Sequence, residues 1–300
     1  RLALADIRPA GGAAKPAEEI RIDSLPSVDL VAEEFLLRGK PLGRLELVAL
    51  NQGAIWRVDK LAITNPDGAF VASGRWRLAI AQPVTEMDFR IEAKDAGKLL
   101  DRLGYAEMVK GGTARLEGRA AWDGPPTSIH YPTLRGTFRM DVTKGQFAKL
   151  DPGVGRVLGI VSLQALPRRI SLDFKDVFSE GFAFDVVAGN VQAEAGVLES
   201  RDLAIEGPAA KVAMSGKVSL VGETQDLRVK VRPSVSETVA VGAALINPVI
   251  GAAALVAQKA LRDPLSSIFA YEYAVTGSWA DPKVEKVSAV VNQPGERLER

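Results

Sequence analysis

The chain has 300 residues, of which 47% are hydrophobic, enough for one large domain or two ordinary ones with a sizeable buried core. Its 38 Lys and Arg residues nearly equal its 37 Asp and Glu residues, so the formal net charge is only +1. This balance argues against a nucleic-acid-binding protein, which needs a basic excess on one face. The chain has no cysteine and one histidine, so disulfides, thiol nucleophiles and multi-histidine metal sites are excluded.

The first twelve residues lack the order of basic start, apolar run and small-residue cleavage site that defines a signal peptide. An initiator Met is also missing from this end. We therefore expect the chain to be a segment of a longer protein or a mature product.

Alternation of apolar and charged residues with a period of two is the commonest pattern, and it predicts half-buried β-strands. The alternating segments are Ile20–Ile22, Leu45–Leu47, Trp76–Ile80, Phe89–Ile91, Phe138–Val142, Ile170–Phe174, Leu227–Val231 and Phe269–Val275. Turns rich in Gly and Pro, such as Asn-Pro-Asp-Gly at 65–68, separate some of them. Because parallel strands have continuous apolar runs, this alternation predicts an antiparallel sheet with one apolar face and one charged face.

Helices are expected at few places. The segment Ala96–Leu103 lies between Asp95, a favoured N-cap residue, and Gly104, a favoured C-terminal stop. A second helix is expected to begin at Asp151-Pro152, because Pro is favoured at the first helical position, and to end before Pro167.

The segment 238–258 contains no charged residue. Pro248 lies in its middle and predicts two short apolar helices, at about 237–246 and 248–261. Three interpretations stay open: a transmembrane span, a buried core hairpin, or an element that lies in a membrane surface or caps an apolar groove. For the last, the candidate contact residues are Leu245, Ile246, Val249, Ile250, Leu255 and Val256.

Two segments of the chain repeat each other, Gly53–Leu78 and Gly196–Leu220. Both contain Leu-Ala-Ile, at 61–63 and 203–205, and a Ser-Gly-basic triplet follows at 73–75 and 215–217. We expect each unit to form about three short strands. Repetition of such a unit predicts an extended sheet in which each unit packs on its neighbours.

Candidate catalytic groups are few, and each has a simpler structural explanation. The glycines of Gly153–Gly159 depart from a dinucleotide-binding loop by one residue and lack a βαβ context, which favours close packing at a helix start. His130 has no carboxylate nearby in sequence and is expected in a loop or at a strand edge. The pair Glu33-Glu34 is expected on a charged strand face or at a strand end. The sequence therefore predicts no catalytic site.

An amphipathic sheet must hide its apolar face. Two sheets can close as a sandwich, or one sheet can curl and leave a concave apolar groove, and the sequence leaves both arrangements open. A large open apolar face is typical of a lipid, membrane or protein site, and acyl chains suit it because each buried CH₂ contributes about 0.8 kcal/mol without any polar geometry. The candidate wall residues are Ile170, Leu172, Phe174, Phe182, Phe184, Val229, Val231, Tyr271 and Tyr273.

The second half of the chain resembles the AsmA-like envelope proteins, in particular the YhdP-type branch. The resemblance is carried by Gly155–Phe184, Leu203–Pro208, Thr224–Val229, the run ALINPVIGAAA at 244–254 and the ending FAYEYAVTGSWADPKV at 269–284. It is specific over 150–285 and looser over 40–150, where it rests on Lys110–Gly118 and Trp122. Residues 1–20 show no resemblance to a known family.

The resemblance implies a mainly β fold: an extended, curled antiparallel sheet of repeating units that forms a β-groove, with a few short capping helices. It implies a protein without catalytic activity or cofactor that conducts glycerophospholipids between the inner and outer membranes. The expected location is the periplasm of a Gram-negative bacterium, in a parent protein held in the inner membrane by an N-terminal helix. The expected partners are phospholipid acyl chains, the outer-membrane surface and envelope proteins, and no nucleic acid.

Four regions are expected along the chain: a flexible segment 1–20, a repeating β-sheet segment 21–150 with one short helix, an AsmA-like β segment 151–287 with apolar helices, and a flexible tail 288–300. The alternative function is an envelope scaffold or interaction protein with a closed β-sandwich core. An enzyme acting on an envelope polymer would need a polar cleft with convergent carboxylates, and the sequence gives no sign of one.

Overall fold

The computed structural model describes residues 2–4, 25–37, 39–78, 81–147, 181–234 and 270–290. Several predictions lie outside these residues: the strands at Ile20–Ile22 and Ile170–Phe174, the glycines of Gly153–Gly159, and the helices expected from 151 and from 237. Within the described ranges the chain forms β-strands, one α-helix and one short 3₁₀ turn.

Fourteen strands of the described chain form one sheet, and their order in the sheet follows the sequence. They are β1 (Leu2–Leu4), β2 (Val28–Leu37), β3 (Lys40–Asn51), β4 (Ile55–Asn65), β5 (Gly68–Arg77), β6 (Val84–Ala93), β7 (Val109–Asp123), β8 (Arg135–Phe147), β9 (Phe182–Glu194), β10 (Val197–Glu206), β11 (Ala210–Ser219), β12 (Thr224–Pro233), β13 (Ala270–Ser278) and β14 (Pro282–Val290). β1 runs parallel to β2, and all other neighbours are antiparallel. The sheet is open, with β1 and β14 at its two ends. The predicted mainly β, antiparallel fold is confirmed.

Cross-strand pairing sorts the side chains into two faces. On one face Ile91 of β6 lies opposite Leu116 of β7. On the other face their sequence neighbours, Arg90 and Glu117, lie opposite each other and form an ion pair at 3.2 Å. Because side chains of a strand alternate between the faces, the period-two pattern in the sequence gives an apolar face and a charged face.

Most of the strand predictions that fall on described residues are confirmed. The segments Leu45–Leu47, Phe89–Ile91, Phe138–Val142 and Leu227–Val231 lie in β3, β6, β8 and β12, and β13 begins at Ala270. The strand predicted to continue from Trp76 to Ile80 is shorter, because β5 ends at Arg77. In the register with β6, the residue opposite Leu78 would be Pro83, which has no N–H to donate to the ladder.

The helix predicted at Ala96–Leu103 is confirmed with the same bounds, and we call it α1. The Asp95 carboxylate accepts a hydrogen bond from Lys98 N at 3.0 Å and caps the first turn. Gly104 ends the helix with a φ of 94°, a left-handed conformation that glycine adopts without steric cost. Both signals act locally in sequence, which explains why the sequence alone defines this helix.

The internal repeat is a pair of two-stranded hairpins, β4–β5 and β10–β11, so the expectation of about three strands per unit was wrong. Each hairpin contains one tight connection and one β-bulge. The bulges lie between Val58 and Leu61 and between Ser200 and Leu203, just before the first residue of each Leu-Ala-Ile. Since a bulge bends its strand and increases its twist, the repeat places the same bend at two points of the sheet.

Successive connections of this sheet lie on opposite long edges, because every strand from β2 onward reverses direction. The described residues of the helix edge include residue 39 and the connections 66–67, 94–108 and 207–209, and this edge carries α1. The described residues of the tryptophan edge are the connections 52–54, 124–134, 195–196, 220–223 and 279–281, together with 78 and 81–83. All four tryptophans of the chain lie at or near the second edge, with Trp279 in a connection and the other three close to strand ends.

Candidate functional site: the apolar face of the sheet

A row of large apolar side chains crosses five consecutive strands, β4 to β8. The row follows the cross-strand register from Ile63 through Phe70, Ile91, Leu116 and Met140. All five side chains are half-buried. Side chains directly opposite each other have Cβ atoms about 5 Å apart, so the row forms a continuous apolar surface that is partly open. We call these five residues, together with Leu61, Phe89 and Phe138, the apolar strip.

A glycine in the middle of the apolar strip lets two aromatic rings meet. Gly118 lies opposite Phe89 on one side and Phe138 on the other. The ring centroids are 5.8 Å apart with planes tilted by 43°, a favourable aromatic arrangement. A Cβ atom at Gly118 would overlap the Phe138 ring and the Thr137 backbone, so a larger residue there would separate the strands.

The apolar face is closed over the C-terminal strands. A cluster of fully buried residues, the C-terminal core, joins β9 to β13: Phe182, Phe184, Val187, Ile205, Ala210, Val212, Met214, Leu227, Val229, Val231, Tyr273 and Val275. Val229 and Val275 are each only 1% exposed. Met140 and Val142 of β8 pack against this cluster, so the apolar strip leads directly into the C-terminal core.

The predicted wall residues that the structure describes lie together, in this closed part of the face. Phe182, Phe184, Val229, Val231 and Tyr273 all belong to the C-terminal core. Tyr271 is half-buried against it, with Lys286 Nζ 4.5 Å from its ring centroid. Burial raises the pKa of the Tyr273 phenol. Ile170, Leu172 and Phe174 lie outside the described residues, and a lipid-binding role of the whole set stays a prediction.

The predicted membrane-contact or cap residues, Leu245, Ile246, Val249, Ile250, Leu255 and Val256, also lie outside the described residues. No helix in the part of the chain that the structure describes combines the length and the hydropathy required to cross a membrane. A membrane or cap role for those six residues stays a prediction.

The apolar strip itself was not among the predicted wall residues. Most of its members show the same period-two alternation as the residues of the C-terminal core, but Phe70 lies between Ala69 and Val71 and gives no such signal. What distinguishes the two sets is exposure, since the strip is half-buried whereas the core is buried. Exposure depends on how the sheet curls, which a hydropathy pattern does not encode.

The charged face carries a ladder of ion pairs. Glu117 accepts hydrogen bonds from Arg115 and Arg90, and the bond from Arg115 holds the pKa of this carboxyl below its usual range. A cavity of about 780 Å³ on this face is lined by residues that include Glu86 and Asp88. Both carboxylates are already ion-paired, Glu86 with Arg75 and Arg77 and Asp88 with Arg119. These two carboxylates are therefore already paired with cations of the same face.

The other candidate polar groups occupy ordinary surface positions. His130 is exposed in a connection at the tryptophan edge, where its Nδ1 lies 3.0 Å from Thr133 Oγ1. Glu33 is exposed on β2 and pairs with Arg44 at 3.1 Å. In the described ranges no three Asp, Glu or His side chains are grouped so that they could hold a metal ion.

Comparison with known proteins identifies the family. The family model described as YhdP protein matches residues 2–284. The chain belongs to the YhdP family. The intermembrane phospholipid transporter YhdP of Escherichia coli strain K12 is 27% identical to it over 277 residues, which is 90% of this chain and 22% of that protein. No solved structure matches this YhdP-family chain significantly.

The family match includes both the apolar strip and the C-terminal core of this YhdP-family chain. The resemblance found in the sequence is therefore confirmed. It also reaches into 2–20, where the sequence had shown no resemblance. The chain spans about a fifth of the length of the curated relative.

Proposed function

We propose that this chain is a section of a phospholipid-transporting β-groove that connects the inner and outer membranes through the periplasm. The apolar strip is the observation that carries the proposal. It offers a partly open, continuous apolar surface over five strands, with no charged side chain in the row. The name of the Escherichia coli relative, an intermembrane phospholipid transporter, supports the same substrate.

Acyl chains suit the apolar strip for a simple physical reason. Each CH₂ group that leaves water contributes about 0.8 kcal/mol, and this gain is the same at every point of an even apolar surface. A lipid can therefore stay out of water while it moves from strand to strand. The charged face, with its ion pairs between Arg90 and Glu117 and between Arg119 and Asp88, keeps the opposite side of the same sheet in water.

The dimensions of the sheet favour a bridging role for a protein of the relative's length that is built in this way. Thirteen spacings of about 4.8 Å between fourteen strands give a sheet about 62 Å long before twisting. The matched segment is 22% of the relative. A protein built throughout in this way would extend about 280 Å by the same spacing, several times the thickness of about 45 Å of one membrane.

Mass spectrometry of lipid extracted from the purified chain tests the proposal. We expect phospholipid to co-purify with the unsubstituted chain and to be lost in Phe138→Asp, because a carboxylate in the apolar strip would be buried without a partner under an acyl chain. The matched control is Thr137→Asp, the preceding residue of β8, which is exposed on the charged face. We expect this control to retain the lipid.

Circular dichroism would show whether each variant folds, and Ile91→Asn provides a second strip variant if Phe138→Asp fails to fold. If the unsubstituted chain is folded but carries no phospholipid, the proposal is contradicted and an envelope scaffold that binds a protein is favoured. Equal lipid content in folded Phe138→Asp and Thr137→Asp would show that the lipid does not lie on the apolar strip.

A further inference from the structure

The two long edges of the sheet differ in what borders the apolar face. At the helix edge, α1 lies across the strand ends between β7 and β3. Gly97, near its start, packs so closely against Val109 O of β7 that a Cβ atom would overlap it. Arg102, near its end, donates to Pro41 O of β3 at 3.1 Å. α1 therefore covers the helix edge beside the apolar strip.

At the opposite edge a row of large amphipathic rings borders the same face. Trp56 lies opposite Trp76, Trp76 lies opposite Thr85, and Thr85 lies opposite Trp122. The indole N–H groups of Trp56 and Trp122 donate to the carbonyl oxygens of Pro26 and Pro125, each at 3.0 Å. Tryptophan is favoured where an apolar region meets a polar one, because its ring is apolar and its N–H is polar.

The tryptophan edge also leaves a headgroup free to move. The described residues of its connections, 52–54, 78, 81–83, 124–134, 195–196, 220–223 and 279–281, include no Lys or Arg. Arg77 and Arg135, which directly flank two of these connections, are ion-paired with Glu86 and Asp123. A phosphate group at this edge would meet no cation from the connections themselves and would stay hydrated. Since firm ion pairing would hold a lipid at one place, this composition suits passage along the edge.

The distance from the tryptophan row to the apolar strip matches the length of a lipid tail. Trp122 and Gly118 lie on the same strand, four residues apart, which is about 14 Å along an extended chain. Gly118 is paired with Phe89 and Phe138 of the apolar strip. The hydrocarbon layer of one membrane leaflet, which is half of the hydrocarbon core, is about 15 Å thick. An acyl chain of this length that starts at the tryptophan row therefore reaches Phe89 and Phe138 of the apolar strip and stops short of α1.

We propose that a phospholipid lies across the strands with its headgroup over the tryptophan edge and its acyl chains directed toward α1. The inference rests on the proposed function, and it adds the orientation of the substrate and the edge over which the lipid is exchanged. The opposite orientation would place the polar headgroup against α1, which occupies that edge.

Tryptophan fluorescence tests this orientation, because all four tryptophans belong to one edge. The chain is loaded with a phospholipid that carries a nitroxide quencher either on the headgroup or at the end of an acyl chain. Trp279→Phe is used as the background, so that the emission comes from Trp56, Trp76 and Trp122. We expect the headgroup label to quench this emission more strongly than the tail label.

A reporter at the other edge completes the design. Tyr105→Trp places an indole just after α1, where the tyrosine is 38% exposed. We expect the emission added by this substitution to be quenched more strongly by the tail label. Stronger quenching of the native tryptophans by the tail label, or equal quenching by both labels, would overturn the orientation. A phosphorus assay of the extracted lipid shows whether any phospholipid was bound. Absence of bound phospholipid would overturn the proposed function as well as the orientation.

Discussion

Arg102 of α1 is joined to Asp67, in the connection between β4 and β5, by two hydrogen bonds to the same carboxylate oxygen. The Nε atom lies 2.9 Å from Asp67 Oδ2 and Nη2 lies 2.5 Å from it. Both side chains are largely buried, at 26% and 14% exposure, so this ion pair is shielded from water more than the other ion pairs of the sheet. This pair attaches α1, which follows β6 in the chain, to the connection between β4 and β5, which precedes β6.

We expect Arg102→Ala to lower the free energy of unfolding by about 1 to 3 kcal/mol, because it leaves the Asp67 carboxylate without its cation. Urea denaturation would measure the change. Arg201→Ala provides the comparison, since Arg201 pairs with Glu199 but is 85% exposed, and exposed pairs contribute about 0 to 1 kcal/mol. Equal losses in the free energy of unfolding would show that the pair between Arg102 and Asp67 stabilises the fold no more than an exposed pair does.

The C-terminal core is expected to behave as a closed interior. Ile205 is 2% exposed, whereas Val186 of the neighbouring strand is 38% exposed. Ile205→Ala should lower the free energy of unfolding by about 2 to 5 kcal/mol through lost burial and a residual cavity. Val186→Ala should change it by less than about 0.5 kcal/mol. Similar, small effects in both would mean that the core opens readily and that its apolar surface is accessible.

The features that the sequence predicted well depend on neighbouring residues. α1 needed only Asp95 and Gly104 to define its ends. The strands with large inward residues, such as Phe89 and Phe138, showed a clear alternation. In each case the signal lies within a few residues of the element that it predicts.

Strands β7 and β9 were harder to recognise, because many of their inward positions are small. Gly118 and Ala120 on β7, and Gly189 and Ala193 on β9, give weak alternation in hydropathy. These residues are small for a reason that only the paired sheet shows: a Cβ atom at Gly118 or Gly189 would overlap atoms of the adjacent strand. The division of the apolar face into a partly open strip and a closed core likewise depends on contacts between distant strands.

Asp202 links stability to pH. Its carboxylate accepts hydrogen bonds from Asn190 N at 2.9 Å and Asn190 Nδ2 at 2.6 Å, and the bond from the backbone N–H is the main reason that its pKa is lowered. A lowered pKa in the folded chain means that this group stabilises the fold above the unfolded pKa of about 3.9. The contribution is lost as the pH falls through the lowered value.

We therefore expect Asp202→Asn to be less stable than the parent chain near neutral pH and to approach it in stability as the solution is acidified. Urea midpoints at about pH 6 and about pH 3 would measure this convergence. Asp281→Asn is the matched variant, because only its backbone N–H makes a hydrogen bond, to Ser278 Oγ. A difference between Asp202→Asn and the parent that stays constant with pH would contradict the assignment.

Two buried tryptophans of the tryptophan edge, Trp122 and Trp76, differ in the hydrogen bonding of their indole N–H groups. Trp122 and Trp76 are buried to the same degree, at 5% and 6% exposure. Trp122 Nε1 donates to Pro125 O, whereas Trp76 Nε1 is buried without an acceptor. Substitution by Phe removes a similar volume from both sites, but only at Trp122 does it leave a carbonyl oxygen without its donor. We expect Trp122→Phe to lower the free energy of unfolding by about 1 kcal/mol more than Trp76→Phe, as measured by urea denaturation. The reverse order would mean that Trp76 Nε1 has a polar partner in solution, such as a water molecule at the tryptophan edge.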